Sequence, residues 1–175
     1  MDLGPVDMIT TDAVGEPGMR TFYLQARAGG DLVTVIVEKE QVVLLARSVL
    51  ELLADVTLET ETGPAPDLED PLEPRFRAGK LSIGFDPDQD RFLLEITEFE
   101  PEIDEDEAGD PRNAGLEGEP ESVRLWASRE QMLALSRHGV EVAERGRPTC
   151  RFCGNPMDPE GHVCPATNGH RAPRA

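Results

Sequence analysis

The sequence predicts an α+β protein in which two β-β-β-α repeats form one sheet-and-helix core. Three observations support this fold class. Two series of three strand-like segments and one helical segment follow each other, two acidic segments rich in Pro and Gly interrupt them, and all three cysteines lie beyond residue 149. We therefore expect a duplicated α+β domain over residues 1–146 and a distinct tail over residues 147–175.

The first half of the chain is predicted to contain three strands and a helix. Residues 7–11 form the first strand, and a hairpin loop leads to the second. Residues 21–27 alternate in polarity and residues 32–37 are rich in β-branched side chains, as is typical of strands. A Gly-containing turn joins these two strands. Residues 41–56 then form a helix, whose apolar side chains around much of the circumference predict that it is well buried.

The second half repeats this order. Two apolar runs, 77–85 and 91–99, flank a turn rich in Asp and predict a hairpin. Residues 122–127 form a short strand. Residues 129–144 form a helix that begins with a capping box, since Ser stands at the N-cap and Gln at the third helical position. Gly and Pro follow this helix and end it.

The two halves of the sequence can be aligned through their helices. Residues 38–47 align with residues 128–137 without a gap, and the preceding strands 32–37 and 122–127 then fall opposite each other. Residues 20–24 also resemble residues 91–95. Amphipathic helices resemble each other by chance, but the shared order of elements favours a true repeat. Two such units would place two helices on one sheet and bury its apolar face.

The net charge of −18 is concentrated in two segments. The chain carries 35 acidic and 17 basic residues, and the segments near 59–74 and 98–121 hold 17 of the acidic residues and one of the basic ones. Like charges repel, and Pro and Gly resist regular structure, so we interpret both segments as solvated acidic insertions. An acidic docking arm for a basic partner is the alternative. This charge disfavours nucleic acids and anionic membranes as partners of the insertions.

Localisation signals are missing from the sequence. No stretch approaches the ~20 apolar residues that a transmembrane helix needs. The first ten residues, MDLGPVDMIT, have neither the basic nor the apolar region of a signal peptide. We predict a cytoplasmic protein with no membrane partner.

The C-terminal tail contains a predicted metal site. Cys150 and Cys153 form a C-x-x-C followed by Gly, and His162 and Cys164 follow later in the tail. Three thiolates and an imidazole suit tetrahedral zinc, so we predict a structural zinc knuckle without an open position for water. On an extended strand His162 and Cys164 would point in opposite directions, so His170 is the alternative fourth ligand.

Other interpretations of the tail remain open. The C-x-x-C is also found in redox pairs, although no βαβ pattern surrounds it here. Three cysteines cannot all pair within one chain, which disfavours a secreted disulfide scaffold. From residue 145 onward the chain is basic, with Arg145, Arg147, Arg151, Arg171 and Arg174. A solvated basic segment is the simpler interpretation, and contact with nucleic acid or with the acidic insertions is the alternative.

Familiar catalytic motifs are absent from the sequence. The sequence has no nucleophile elbow, no P-loop and no dinucleotide-binding glycine motif. His138 lies within the second helix, where packing or surface exposure is the simpler role. Asp12, Gly15, Gly18 and Arg20 form a D-x-x-G-x-x-G-x-R stretch, whose backbone amides are candidates for binding an anion. A plain hairpin turn is the alternative.

Both ends of the chain resemble an uncharacterised family. Residues 2–27, the helix that begins EKEQ and residues 153–171, CGNPMDPEGHVCPATNGHR, are similar to domain-of-unknown-function family 3090, an actinobacterial family also described as a conserved repeat protein. The family has no established activity. The resemblance implies that the Cys and His ligands of the tail are a recurring cluster. It also implies a cytoplasmic role beside phosphate chemistry, because phosphomutase-like and kinase-like proteins are encoded near its members.

The sequence therefore predicts a non-enzymatic, zinc-binding interaction or adaptor protein whose partner is another protein. One alternative is a nucleic-acid-binding protein that uses the basic zinc tail. The other is an enzyme or regulator that acts on a phosphorylated small molecule at the loop between Asp12 and Arg20. The oligomeric state is left open.

Overall fold

A computed structural model describes residues 1–53, 62–100, 119–146, 149–157 and 162–167. Within these residues lie seven strands, two α-helices and one short 3₁₀ helix. Their bounds are β1 Asp2–Pro5, β2 Met8–Val14, β3 Thr21–Ala28, β4 Asp31–Val37, α1 Lys39–Leu53, β5 Pro74–Asp86, β6 Arg91–Glu98, β7 Ser122–Ser128, α2 Arg129–Glu144 and the 3₁₀ helix Pro165–Thr167.

The seven strands form one mixed sheet in the order β1-β7-β6-β5-β4-β3-β2. Neighbouring strands are antiparallel except at two places, where β4 pairs with β5 and β7 pairs with β1 in parallel. The α+β class is confirmed, with two helices and a mixed sheet.

The two edges of the sheet are joined by the first segment of the chain. Val6 donates its backbone N–H to the carbonyl of Trp126 on β7 (2.9 Å), and Asp7 donates to the carbonyl of Arg27 on β3 (2.8 Å). Because Val6 and Asp7 are adjacent, β1 and β2 are one extended segment that lies between β7 and β3. The sheet therefore curls round until its edges meet, which leaves few unpaired edge groups.

Alternating side chains build the core. In β6, Phe92, Leu94 and Ile96 are fully buried and the residues between them are not. This alternation is what a strand with one face toward a core requires. The same cluster of buried apolar residues takes in side chains from β2, β3, β4, β7 and both helices.

The two helices pack against each other. α2 begins as the sequence predicts, whereas α1 begins at Lys39, two residues before the predicted start. The capping box of α2 is confirmed, because the Ser128 side chain accepts from the Gln131 N–H and the Gln131 side chain accepts from the Ser128 N–H. A Cβ at Gly139 would lie 2.9 Å from Cγ1 of Val42. The glycine thus permits the close approach of α2 to α1.

Two predictions about these elements need correction. The first helix is not buried around most of its circumference, because Val43, Leu44, Leu50 and Leu52 are exposed. Its end beyond Leu53, predicted near residue 56, lies outside the described residues. The short strand β1 was not predicted, since three of the four residues in its sequence DLGP disfavour strands.

Part of the first acidic insertion lies against the sheet. The buried Gln25 side chain donates to the carbonyl of Glu69 (2.9 Å) and accepts from its N–H (2.7 Å). The Thr10 hydroxyl donates to the carbonyl of Pro66, and Arg27 forms an ion pair with Glu69 at 3.5 Å. These contacts correct the interpretation of this part of the insertion as a purely solvated loop. Residues 101–118 of the second insertion lie outside the described residues.

Among the described residues, no helix combines the length and the apolar character needed to cross a membrane.

Candidate metal centre

The first half of the tail is a tight turn. Cys150 donates its N–H to the carbonyl of Asn155 (2.8 Å), and Gly154 donates to the carbonyl of Cys150 (2.8 Å). Gly154 has a φ of 75°, which a residue without a Cβ adopts at little cost. Thr149 and Pro156 form an isolated β-bridge at the base of the turn. This geometry brings the side chains of the C-x-x-C together.

The second half of the tail returns to this turn and completes a four-residue cluster. The ligand atoms of Cys150, Cys153, His162 and Cys164 all lie within 4.8 Å of one another. The Sγ atoms of Cys150 and Cys164 are 3.8 Å apart, and Sγ of Cys153 is 3.6 Å from Nε2 of His162. The four residues predicted from the sequence are thus positioned like a metal site. His170, the alternative ligand, lies outside the described residues.

The distances within the cluster suit a tetrahedral ion. Zn–S bonds of about 2.3 Å and Zn–N bonds of about 2.0–2.1 Å at the tetrahedral angle give edges of roughly 3.8 Å for S···S and 3.5–3.6 Å for S···N. Both values agree with the observed separations. A disulfide requires an S–S distance near 2.04 Å, so the thiols at Cys150 and Cys164 are not bonded to each other. The difficulty foreseen for His162 and Cys164 is resolved, since both reach the same cluster.

The thiols have unequal acidities. Burial opposes ionisation of Cys150, but hydrogen bonds from the backbone of Phe152 and Cys153 and from the side chains of His162 and Cys153 outweigh it and lower the pKa of Cys150 from 9.0 to about 6. Burial raises the pKa of Cys153, and the neighbouring Cys164 and Cys150 add to that rise. The lowered pKa of Cys150 favours its thiolate, the form that binds metal ions.

Within residues 149–157 and 162–167 of the tail, little besides the cysteines of the cluster is buried. Cys150, Met157 and Cys164 form its small core, with Cys153 packed against them. Phe152, in contrast, is 50% exposed and Val163 is 68% exposed. Arg151 lies over the Phe152 ring, with its guanidinium carbon 4.7 Å from the ring centroid. We call residues 149–157 and 162–167 the knuckle. It has apolar side chains on its surface and few inside.

The residues of the predicted anion-binding stretch separate in the structure. Gly18 and Arg20 line a pocket beside the knuckle. Asp12 does not line it, because its carboxylate accepts from the N–H of Ala13 (2.7 Å) and lies 3.4 Å from Nε2 of His138. Gly15 has a φ of 115° in the hairpin turn between β2 and β3. The stretch therefore forms the predicted turn, and anion binding by these four residues stays a prediction.

Two features of this region escaped the sequence analysis. The pair of Asp12 and His138 joins β2 to α2 across 126 residues. Lys39, at the start of α1, faces the same pocket as Arg20. Both juxtapositions depend on how the helices lie on the sheet, and no local pattern in the sequence signals them.

A comparison with family models finds a match over residues 1–164 to the family described as "Protein of unknown function (DUF3090)". The matched range includes the four Cys and His residues of the cluster. No curated protein and no solved structure matches the chain.

Proposed function

The chain belongs to the DUF3090 family of proteins of unknown function, and we propose that it is a structural zinc protein whose knuckle binds another protein. The observation that carries the zinc assignment is the convergence of three thiols and one imidazole within 4.8 Å. Soft thiolate ligands in a tetrahedral arrangement favour zinc over magnesium, calcium or manganese. With all four positions filled by side chains, such an ion has no open site for water and its role is structural.

The small size of the knuckle core supports a structural role for the metal. Only one residue besides the cysteines, Met157, is buried in it. A segment with so few apolar contacts cannot offset the conformational entropy of folding, so metal binding would supply that free energy. None of the three cysteines forms a disulfide bond in the structure, so their thiols can serve as ligands.

The zinc assignment can be tested with a matched pair of histidine variants. Purified protein should contain one zinc ion per chain by inductively coupled plasma mass spectrometry. His162→Gln should lose the ion or bind it far more weakly, while His138→Gln, which alters a histidine outside the cluster, should retain it. Zinc-free protein with an intact knuckle, or equal metal loss in both variants, contradicts the assignment.

The surface of the knuckle supports an interaction role. Phe152 and Val163 expose apolar area that a folded chain normally buries, and exposed aromatic side chains are enriched where proteins bind each other. The net charge of −18 argues against nucleic acid as the general partner. Of the basic residues in the tail, Arg145 pairs with Glu141 at 3.7 Å and Arg151 stacks on Phe152, so neither presents an unengaged cation.

A pull-down can distinguish these partners. The wild type, a Phe152→Ser/Val163→Ser variant and a Leu44→Ser control, which removes an exposed apolar residue of α1, would be used as baits in lysate of the native organism. A protein enriched by the wild type and the control but not by the knuckle variant supports the adaptor role. Anisotropy measurements with a 20-mer RNA test the alternative. Binding that falls steeply with salt and is unaffected by the double variant would instead support nucleic-acid recognition.

The proposal includes the duplicated architecture predicted from the sequence, in which β2, β3, β4 and α1 correspond to β5, β6, β7 and α2. The strand registers support it. In each half the third strand pairs in parallel with the start of an extended segment, and the register shifts at the same place in both. The pairs on either side of the shift are Thr34↔Pro74 and Ile36↔Arg77 for β4, and Arg124↔Asp2 and Trp126↔Pro5 for β7. By this correspondence, β1 and β2 together are the counterpart of β5.

Two glutamines supply further support for the duplication. Gln41 accepts from the N–H of Glu38 (2.8 Å) and donates to the carbonyl of Ala78 (3.2 Å). Gln131 accepts from the N–H of Ser128 (2.8 Å) and donates to the carbonyl of Val6 (3.0 Å). Each glutamine thus ties the start of its helix to the extended segment that pairs with the preceding strand. The two have equivalent positions in the alignment of the helices.

A further inference from the structure

A pocket of about 630 Å³ lies where the hairpin turn between β2 and β3, the start of α1, the end of α2 and the knuckle meet. Its volume falls within the range of small-molecule sites, about 300 to 1,000 Å³. Neither the zinc assignment nor the proposed protein partner accounts for it. Thr149 and Pro156, the bridged pair at the base of the knuckle turn, form one of its walls.

Two cationic groups converge in this pocket. A Cβ placed on Gly146 would lie 3.7 Å from Nη2 of Arg20 and 3.8 Å from Nζ of Lys39, so both head groups flank the same point. Arg20 is held there, because its Nη1 donates to the carbonyl of Val142 (3.1 Å) near the end of α2. Its guanidinium carbon also lies 5.3 Å from the centroid of the Phe22 ring. A fixed guanidinium beside an ammonium is an arrangement suited to an anionic group.

These cations lack anionic partners in the part of the chain that the structure describes. Neither Arg20 nor Lys39 forms an ion pair there, although Arg27, Arg47, Arg75, Arg77, Arg124, Arg129 and Arg145 each pair with a carboxylate. One carboxylate, that of Glu144, lies on the pocket wall and leaves the two cations in excess. The chain as a whole is strongly acidic, with a net charge of −18, whereas this cavity contains two cations without carboxylate partners among the described residues.

The rest of the pocket wall is largely apolar. Phe22 and Val43 face the pocket from β3 and α1, and Val140 and Ala143 face it from α2. Val43 is 39% exposed although it is a branched aliphatic residue on a helix. Concave sites with apolar walls and a few convergent polar groups are characteristic of small-molecule binding.

We propose that this pocket binds a small organic anion, with a phosphate or carboxylate head between Arg20 and Lys39 and an apolar body against Phe22, Val43 and Val140. The cavity size favours a small molecule as the occupant, and its two cations favour an anionic one. This site is distinct from the metal cluster and does not depend on the identity of the metal.

Isothermal titration calorimetry of the full-length protein with phenyl phosphate tests the proposal. Phenyl phosphate should bind saturably, and phenol, which has the ring without the charge, should bind at least about tenfold more weakly. Lys39→Gln and Arg20→Gln should each raise the Kd about tenfold, since each removes a charged partner of the anion. Arg47→Gln, which removes an exposed cation of the same helix that pairs with Glu51, should leave the Kd within about twofold.

A variant that fills the apolar part of the pocket tests the contributions of the head group and of the apolar body separately. Val43→Trp keeps both cations and occupies the apolar part, so it should weaken phenyl phosphate while sparing inorganic phosphate. Because Arg20 also supports the end of α2, its variant is compared by circular dichroism, and Lys39→Gln decides the question if Arg20→Gln is misfolded. Failure of benzoate, phosphate and phenyl phosphate to bind, or equal losses in Lys39→Gln and Arg47→Gln, overturns the proposal.

Discussion

The sheet-and-helix core and the knuckle are held together by different interactions. In the core, two helices and a sheet with joined edges bury a continuous apolar cluster from β2 to β7, and Leu3 of β1 packs against it. In the knuckle, the buried set consists of Cys150, Met157 and Cys164, and its other apolar side chains face outward. The comparison teaches that burial of apolar surface is enough to fold the core but not the knuckle, for which we propose that four ligands joined to an ion supply the free energy.

Loss of the metal ligands should produce the largest effect, and only in the knuckle. Structural zinc binding contributes apparent free energies of about 10–16 kcal/mol in small zinc domains, more than the few apolar contacts here can replace. Cys164→Ser should therefore make the peptide bond after Arg151 rapidly cleavable by trypsin while the core remains intact. Mass spectrometry of the digestion products checks this, with Arg151→Gln as the control that removes the cleavage site. A protected Arg151 in the zinc-free variant would contradict the comparison.

A cavity in the core should have the next largest effect. Phe92 is fully buried and its ring packs 4.9 Å from that of Phe85. Phe92→Ala should lower the free energy of unfolding by about 3–5 kcal/mol without changing the zinc content. Urea denaturation followed by tryptophan fluorescence measures the loss. Phe99→Ala, at a residue 56% exposed, is the matched control and should cost far less. Zinc loss from Phe92→Ala would show that the two regions are not independent.

The smallest expected effect tests whether the two halves of the core are equivalent. Gln41→Ala and Gln131→Ala each remove a helix-start hydrogen bond and leave a strand carbonyl without its side-chain donor, at an expected cost of about 1–2 kcal/mol. If the core is duplicated, the two losses are similar. Urea denaturation of both variants, with Gln89→Ala in the β5–β6 turn as the control, measures them. A large loss at one glutamine and none at the other would contradict their equivalence.

Local patterns were enough to predict most elements of the core. The alternation in β3 and β6, the Gly-containing turn before β4 and the Ser and Gln of the α2 capping box each depend on residues close together in the chain. The junction at Val6 and Asp7 was not predictable in this way. It depends on β7 and β3 arriving on either side of the first segment, which is a property of the whole sheet.

The same distinction applies to the candidate sites. The four Cys and His residues of the cluster lie in one short stretch, so their spacing alone predicted the cluster. Arg20, Lys39 and Gly146 come from three distant elements and meet only through the packing of both helices. Short-range chemistry was therefore predictable, whereas a pocket built at the junction of four segments was not.

Hydrogen–deuterium exchange of the zinc-loaded and chelated protein tests the central claim most directly. Amides of the knuckle turn, including those that Cys150 and Gly154 donate to backbone carbonyls, should lose their protection when zinc is removed. Peptides from β6 should exchange equally slowly in both states, because their protection comes from the apolar core. Unchanged protection of residues 149–157 after zinc removal, or an equal loss across β6, would contradict the account.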